Sequence, residues 1–243
     1  MLHTTQGIVL YNVKYADKKL ISKIYTKDFG LITANIHVGN GPKAKIKAGV
    51  IQPLTQIECV ISVKENKEIQ QLSEAKCLFV YTDLQINFSK MCIASFLNEI
   101  LYKCVKEQMS NPHLFDLICH TYQWLDNVQD GYLDTHIYFL FELTKHLGFY
   151  PTNNRSETLP YFDTVEGKFF ATIKSYPLGF DYLQSQLFSD LFSYSLFEQK
   201  KINRTERLLL LDCLLSYYKM HISGLSDFKS YQVMQEMVNS ISS

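Results

Sequence analysis

The sequence predicts an α+β protein, with a small N-terminal β-barrel over residues 1–80 followed by an all-helical C-terminal domain over 81–243. Two observations lead there, and a third, the distribution of charge, points to an electrostatic partner for the first part. Up to about Ala75, short apolar runs rich in Ile, Val, Tyr and Thr are broken by Gly, Pro, Asn and Lys, which is the pattern of strands. Beyond about residue 85 the apolar period lengthens to that of helices. The formal charge of zero conceals two opposite parts: the first ninety residues hold twelve lysines against seven acids, and the rest holds twelve Lys and Arg against seventeen acids.

GIVLYNV, LISKIYT, LITANIHV, VIQPLTQIECVISV and EIQQLSEA are the five expected strands. In the fourth, Ile57, Cys59, Ile61 and Val63 alternate with Glu58, Val60 and Ser62, so one face points to a core. Pro53 has no N–H for a ladder and marks an edge, a bulge or the strand's entry. Five short strands in so few residues suggest closure into a barrel of the OB type, since closure removes exposed edges. Helices follow in KMCIASFLNEILYKCVKEQ, HLFDLICHTYQWLDNV, THIYFLFELTKHL with Asp134 as N-cap, QSQLFSDLFSYSLF, and RLLLLDCLLSYYKMHI with Asn203 and Glu206 at capping-box spacing. A short helix from about Phe228 closes the chain. Residues 149–180 break the rhythm and read as an irregular excursion containing a hairpin around Gly167.

With 47% apolar and 20% charged residues, the chain is far from a disordered composition. Six cysteines are scattered among apolar neighbours without a C-x-x-C spacing, as reduced core residues are. The opening MLHTTQGIVL has no basic flank and no long apolar run, so a cytoplasmic protein is expected.

Motifs for catalysis are scarce. Gly39, Gly41 and Ala44 fit a loose dinucleotide fingerprint, but Gly49 and Pro53 leave no room for the helix that would carry the pyrophosphate, and no nucleotide cofactor is expected. The seven histidines are dispersed, with none at the i, i+4 spacing of a helical metal clamp. Cys119 and His120 are the nearest approach to a nucleophile and base, yet adjacent helical residues diverge by about 100°. Asp126, Asp130 and Asp134 surround a turn, where capping explains them.

Lysines carry the stronger signal. Lys14, Lys18, Lys19, Lys23, Lys27, Lys43, Lys45 and Lys47 face only Asp17 and Asp28 in their segment. Tyr11, Tyr15, Tyr25, Phe29 and His37 are interleaved with them, and aromatic planes on which bases stack are the second ingredient of single-strand binding, worth ~1–3 kcal/mol per base. Lys43, Lys45 and Lys47 alternate, so in an extended segment their ammonium groups leave one side and track a phosphate backbone. HVGNGPKAKIKAG then reads as a backbone-tracking loop without base-reading residues and with weak sequence preference. An adaptor whose barrel takes acidic protein tails, touching DNA only through partners, is the competing reading. A solvated lysine surface is the bland one.

Taken in order, these residues resemble the RecO family of bacterial recombination mediators almost end to end. An apolar strand, a T-x-x-x-G turn (Thr26, Gly30), a further strand and a Gly-plus-basic loop (Gly39 through Lys47) open the chain; LxxxLGFYP at 143–151 and YYKMHISGLSDFKSYQVM, with Lys229 and Ser230, follow. The resemblance implies a non-enzymatic role in recombinational repair. It further implies binding to single- and double-stranded DNA, strand annealing, association with RecR, contact with the acidic C-terminal tail of single-stranded DNA-binding protein (SSB), and an indirect link to RecA. Lys200, Lys201, Arg204 and Arg207 are the candidates for receiving that tail, or simply a helix's wet flank. One departure matters. Many relatives carry a four-cysteine zinc knuckle after the GYxP-like turn, whereas PTNNRSETLPYFDTVEGKFFATI has no cysteine, so no zinc is expected.

Overall fold

Strand β1 (Leu2–Ala16) is long enough to be hydrogen-bonded along both edges, antiparallel to β2 (Lys19–Thr26) on one side and to β4 (Gln56–Ser62) on the other. In this computed structural model, which describes residues 1–39, 41, 44–64, 66–106, 109–198 and 201–241, β2 pairs with β3 (Gly30–His37). β3 runs parallel to β5 (Ile69–Cys77), which returns to β4. The order β1-β2-β3-β5-β4 therefore closes into a five-stranded barrel of the OB type. Inward positions carry Val9, Ile24, Ala34, Ile36, Ile57, Cys59, Ile61 and Leu72, all nearly inaccessible.

Local chemistry fixes the turns. Between β2 and β3 the buried Thr26 hydroxyl accepts from the Phe29 N–H (3.1 Å) and donates to the Gly30 carbonyl (2.9 Å). Gly30 sits at φ 63°, where a Cβ is unfavourable, so the T-x-x-x-G spacing is the turn itself. The fourth strand starts later than the sequence suggests. Residues Ala48–Ile51 form a 3-10 turn, and Leu54, just after Pro53, takes φ 75°. Its N–H reaches the Val9 carbonyl (2.8 Å) and the Val9 N–H reaches the Thr55 carbonyl (3.1 Å), which accommodates the irregularity in β1 between Val9 and Tyr11.

Two helices belong with the barrel. α1 (Phe88–Cys104) is capped by Asn87 and donates the Asn98 amide to the Leu10 carbonyl (2.6 Å). α2 (Pro112–Asn127) offers the Cys119 carbonyl to the Gln56 amide (3.3 Å). The first compact unit spans Met1–Asn127, the barrel together with these two helices.

The second unit, Val128–Ser243, contains α3 (Thr135–Leu147), α4 (Tyr182–Asp190), α5 (Arg204–His221) and α6 (Lys229–Ile241). It is mainly helical. β6 (Tyr161–Asp163) and β7 (Lys168–Phe170) form an antiparallel hairpin, with Gly167 at φ 64°. Asn154 extends it by accepting from the Phe169 N–H (2.8 Å) and donating to its carbonyl (3.0 Å). Phe162, Phe169, Phe180, Phe188 and Tyr217 build its core, with ring centroids 4.5 to 5.8 Å apart. Asn203 caps α5 by accepting from the Glu206 N–H (3.0 Å). Asp134 does not cap α3: it lies in a 3-10 turn and its carboxylate is held by Arg207 and the Ile202 N–H. Among the described residues no helix is long and apolar enough to cross a membrane.

The end of α2 is tied to the segment entering α1 by one carboxylate. Buried Asp126 accepts from the N–H groups of Thr82, Asp83 and Leu84 and from the Thr82 hydroxyl, at 2.7 to 3.2 Å. Lys90, 1% exposed, donates to the Asp126 carbonyl (3.3 Å) and pairs with Asp83 (2.6 Å). Burial pushes the Asp126 pKa up, but these hydrogen bonds outweigh it and hold the pKa below its ordinary 3.8. A depressed carboxylate contributes stability that is complete above its unfolded value and is lost as pH falls through the folded one. Asp126→Ala is expected to destabilise the chain by at least ~3 kcal/mol in urea unfolding at neutral pH, with the deficit shrinking below pH ~4.

Candidate nucleic-acid interface

Strand register brings the outward residues of the barrel into cross-strand rows. Tyr11 pairs with Lys23, Lys23 with Thr33 and Thr33 with Ile69. Val13, Ile21, Asn35 and Gln71 make the next row, and Lys19 faces His37 at the end. Tyr15 is 51% exposed beside them, at the irregular end of β1. A groove of about 940 Å³ crosses this face, lined by Tyr15, Ile21, Asn35 and Ile69, with Lys64 and Lys67 from the β4–β5 connection.

The predicted lysines fall into separate groups. Lys14, Lys18, Lys19 and His37 are exposed at one end, and the Lys18 carbonyl holds the Val38 N–H (2.9 Å) so that the β1–β2 turn lies against the exit of β3. Lys23 lies midway with its ammonium on the Thr33 hydroxyl (2.6 Å). Lys27 is roughly 25 Å of strand away from Lys19. It pairs with Asp116 of α2 (3.1 Å), and its ammonium lies 5.7 Å from the Phe115 ring centroid. Lys45 pairs with Glu74 (2.5 Å), both exposed, an arrangement of little strength that nevertheless cancels charge locally. Lys43 lies outside the described residues. Lys45 and Lys47 stay exposed on either side of buried Ile46, but the segment bends and enters the 3-10 turn instead of running as an extended strand. Among the described residues, Lys14, Lys18, Lys19, Lys47, Lys64 and Lys67 make no ion pair.

The aromatic candidates divide as well. Tyr25 points outward from β2 yet is only 1% exposed, with its hydroxyl directed at the Asn111 carbonyl (3.4 Å), and cannot stack on a base. Phe29 is half-buried against the core and meets the His3 ring edge-on at 5.3 Å. Tyr11 already stacks on Tyr102 of α1 (4.6 Å, 24°). Tyr15 remains, anchored through its hydroxyl to Asn35 (2.8 Å).

Lys64 and Lys67 were not singled out by the sequence, where KENK reads as a polar turn. Gln70 shapes that turn: its side-chain oxygen accepts from the Lys64 N–H (2.8 Å) while its amide donates to the carbonyls of Lys64 (3.1 Å) and Lys67 (2.5 Å). The parallel β3–β5 pairing then brings the turn to the groove, a non-local event with no periodic signature.

Two comparisons bear on the chain as a whole. The family description Recombination protein O N terminal matches residues 1–81, and Recombination protein O C terminal matches residues 86–156. The chain belongs to the RecO family. It is 34% identical over 243 residues to the DNA repair protein RecO of Christiangramia forsetii and 31% identical over 242 residues to that of Bacteroides fragilis, covering 98% of this chain and 99% of each relative. The RecO protein of Flavobacterium psychrophilum is 31% identical over 236 residues, 96% of this chain and 98% of its own length. RecO proteins are recombination mediators, not enzymes. Burial pushes the Cys119 thiol up to about 12, and His120 is exposed. Among the described residues, no three His, Cys, Asp or Glu side chains are placed to hold a metal ion.

Of the candidates for an acidic tail, Lys200 lies outside the described residues, and Lys201 and Arg204 are exposed at the start of α5. Arg207 is not a surface residue. It is 4% exposed, its guanidinium bound to Asp134 and, at 3.0 Å, to the Ile202 carbonyl. Removing one partner of a buried pair leaves the other charge uncompensated. Arg207→Ala is therefore expected to lower stability by about 3–5 kcal/mol in denaturant unfolding, and Arg204→Ala to change it by less than ~0.5 kcal/mol.

Proposed function

We propose that the protein is a recombination mediator in DNA repair that binds single- and double-stranded DNA, anneals complementary strands and, with RecR, helps load RecA. Its membership of the RecO family supports the general reading. The observation that carries the DNA contact is the groove on the outer barrel face, where exposed Tyr15 lies with Ile21, Ile69 and the amides of Asn35 and Gln71 beside Lys64 and Lys67; Glu68 also lines the groove, but neither lysine is ion-paired among the described residues. Phosphates of a flexible strand then run past Lys14, Lys18, Lys19, Lys23, Lys64 and Lys67, while at least one base rests on Tyr15. Aromatic and aliphatic floor atoms tolerate every base, so sequence preference is weak. Lys47 extends the path at the exit of β3. Contact with the acidic tail of SSB falls to Lys201 and Arg204 in this reading, without Arg207.

Six neutralised phosphates, at ~0.7 per contact, predict that log affinity for a single strand falls with log salt at a slope of roughly −4. Replacing Lys64 and Lys67 together by alanine is expected to flatten that slope by about 1.4, whereas Lys27→Ala leaves it nearly unchanged. Fluorescence anisotropy with a labelled oligonucleotide measures both, and an acidic peptide titrated in parallel separates DNA binding from tail binding. An affinity independent of salt contradicts the proposal.

A further inference from the structure

The floor of the groove holds a connected set of polar groups that lysine contacts do not require. The Tyr15 hydroxyl donates to Asn35 Oδ1 (2.8 Å), Asn35 Nδ2 donates to Gln71 Oε1 (3.3 Å), and Gln71 Nε2 donates to the Leu72 carbonyl (3.2 Å). Asn35 and Gln71 are cross-strand partners on β3 and β5, so both amides project from the same face. The chain of bonds orients them, yet leaves each with one N–H and one oxygen lone pair beyond those contacts. A donor and an acceptor held side by side match the Watson–Crick edge of any nucleobase, because every base presents a donor next to an acceptor there: N3–H and O4 in thymine, N6–H and N1 in adenine. In a duplex these edges are occupied by the opposite strand. Phosphates, by contrast, are present in both forms and give lysines no basis for telling them apart.

We propose that Asn35 and Gln71 hydrogen-bond the Watson–Crick edges of unpaired bases whose rings lie against Tyr15, Ile21 and Ile69. The groove then selects unpaired over paired DNA without reading sequence, and it loses these bonds as a held strand pairs with its complement, which favours release of the annealed product. This inference rests on the groove being the single-strand site.

The test compares two oligonucleotides of about 20 nucleotides with the full chain: oligo-dT, and the same strand methylated at every thymine N3. Methylation removes the edge donor and leaves the phosphates unchanged. The unaltered protein is expected to bind oligo-dT about tenfold more tightly. Asn35→Leu with Gln71→Leu is expected to erase that difference while leaving the salt slope intact. Equal affinity of the unaltered protein for both strands, with a steep salt slope, overturns the inference and leaves the proposed DNA binding standing. A difference that survives the double substitution overturns the assignment to these two amides. Weak, salt-independent binding of both strands removes the proposed function and this inference together. The comparison on the unaltered chain needs no substitution, so a poorly folding variant does not remove the test.

Discussion

Closure of the barrel through β1 is the constraint from which the rest follows. Because β1 pairs with β2 and with β4, no strand of the five-stranded sheet is left as an open edge, and alternate residues must point either into the sealed core or onto a continuous outer wall. Val9, Ile24 and Ile36 take the first course; Tyr15, Lys19, Ile21, Lys23, Asn35 and His37 take the second. A slip of one residue in any pairing would exchange the two sets and abolish the groove. The strained Leu54, which brings its own N–H to the Val9 carbonyl, helps set the register where β1 is irregular.

Electrostatics on that wall are set by which lysines find acids at home. α2 supplies Asp116 to Lys27, and β5 supplies Glu74 to Lys45, so two of the sequence's candidates are spoken for. The β1–β2 turn and the β4–β5 turn contain lysines with no such partner among the described residues, and those of the β4–β5 turn, Lys64 and Lys67, line the groove. A net positive field over the face therefore arises from the arrangement of partners as much as from the number of lysines.

Much of this was legible in the chain. Alternation of Ile57, Cys59 and Ile61 with polar neighbours gave the fourth strand, and the spacing of Thr26 and Gly30 marked a turn whose hydrogen bonds the structure supplies. The break in helical rhythm after Gly148 announced a non-helical insertion, which became the β6–β7 hairpin around a phenylalanine core. What could not be read was non-local. Tyr25 has an outward position by alternation, but the chain near Asn111 covers it, and nothing around residue 25 signals that. Asp134 has the composition and place of an N-cap, yet Arg207, far along the chain, claims its carboxylate. Lys64 and Lys67 gain their significance only when β5 pairs in parallel with β3.

The central claim is that a polyanionic strand lies across the outer barrel face and touches the lysines that acids leave available. Its most direct test is the reactivity of each lysine toward an amine acylating reagent, read by mass spectrometry with and without a saturating single-stranded oligonucleotide. Protection of Lys14, Lys18, Lys19, Lys64 and Lys67, with Lys27 and Lys76 unchanged, is the predicted pattern. Protection confined to Lys201, Lys219 and Lys229, with the barrel lysines as reactive as before, contradicts the account.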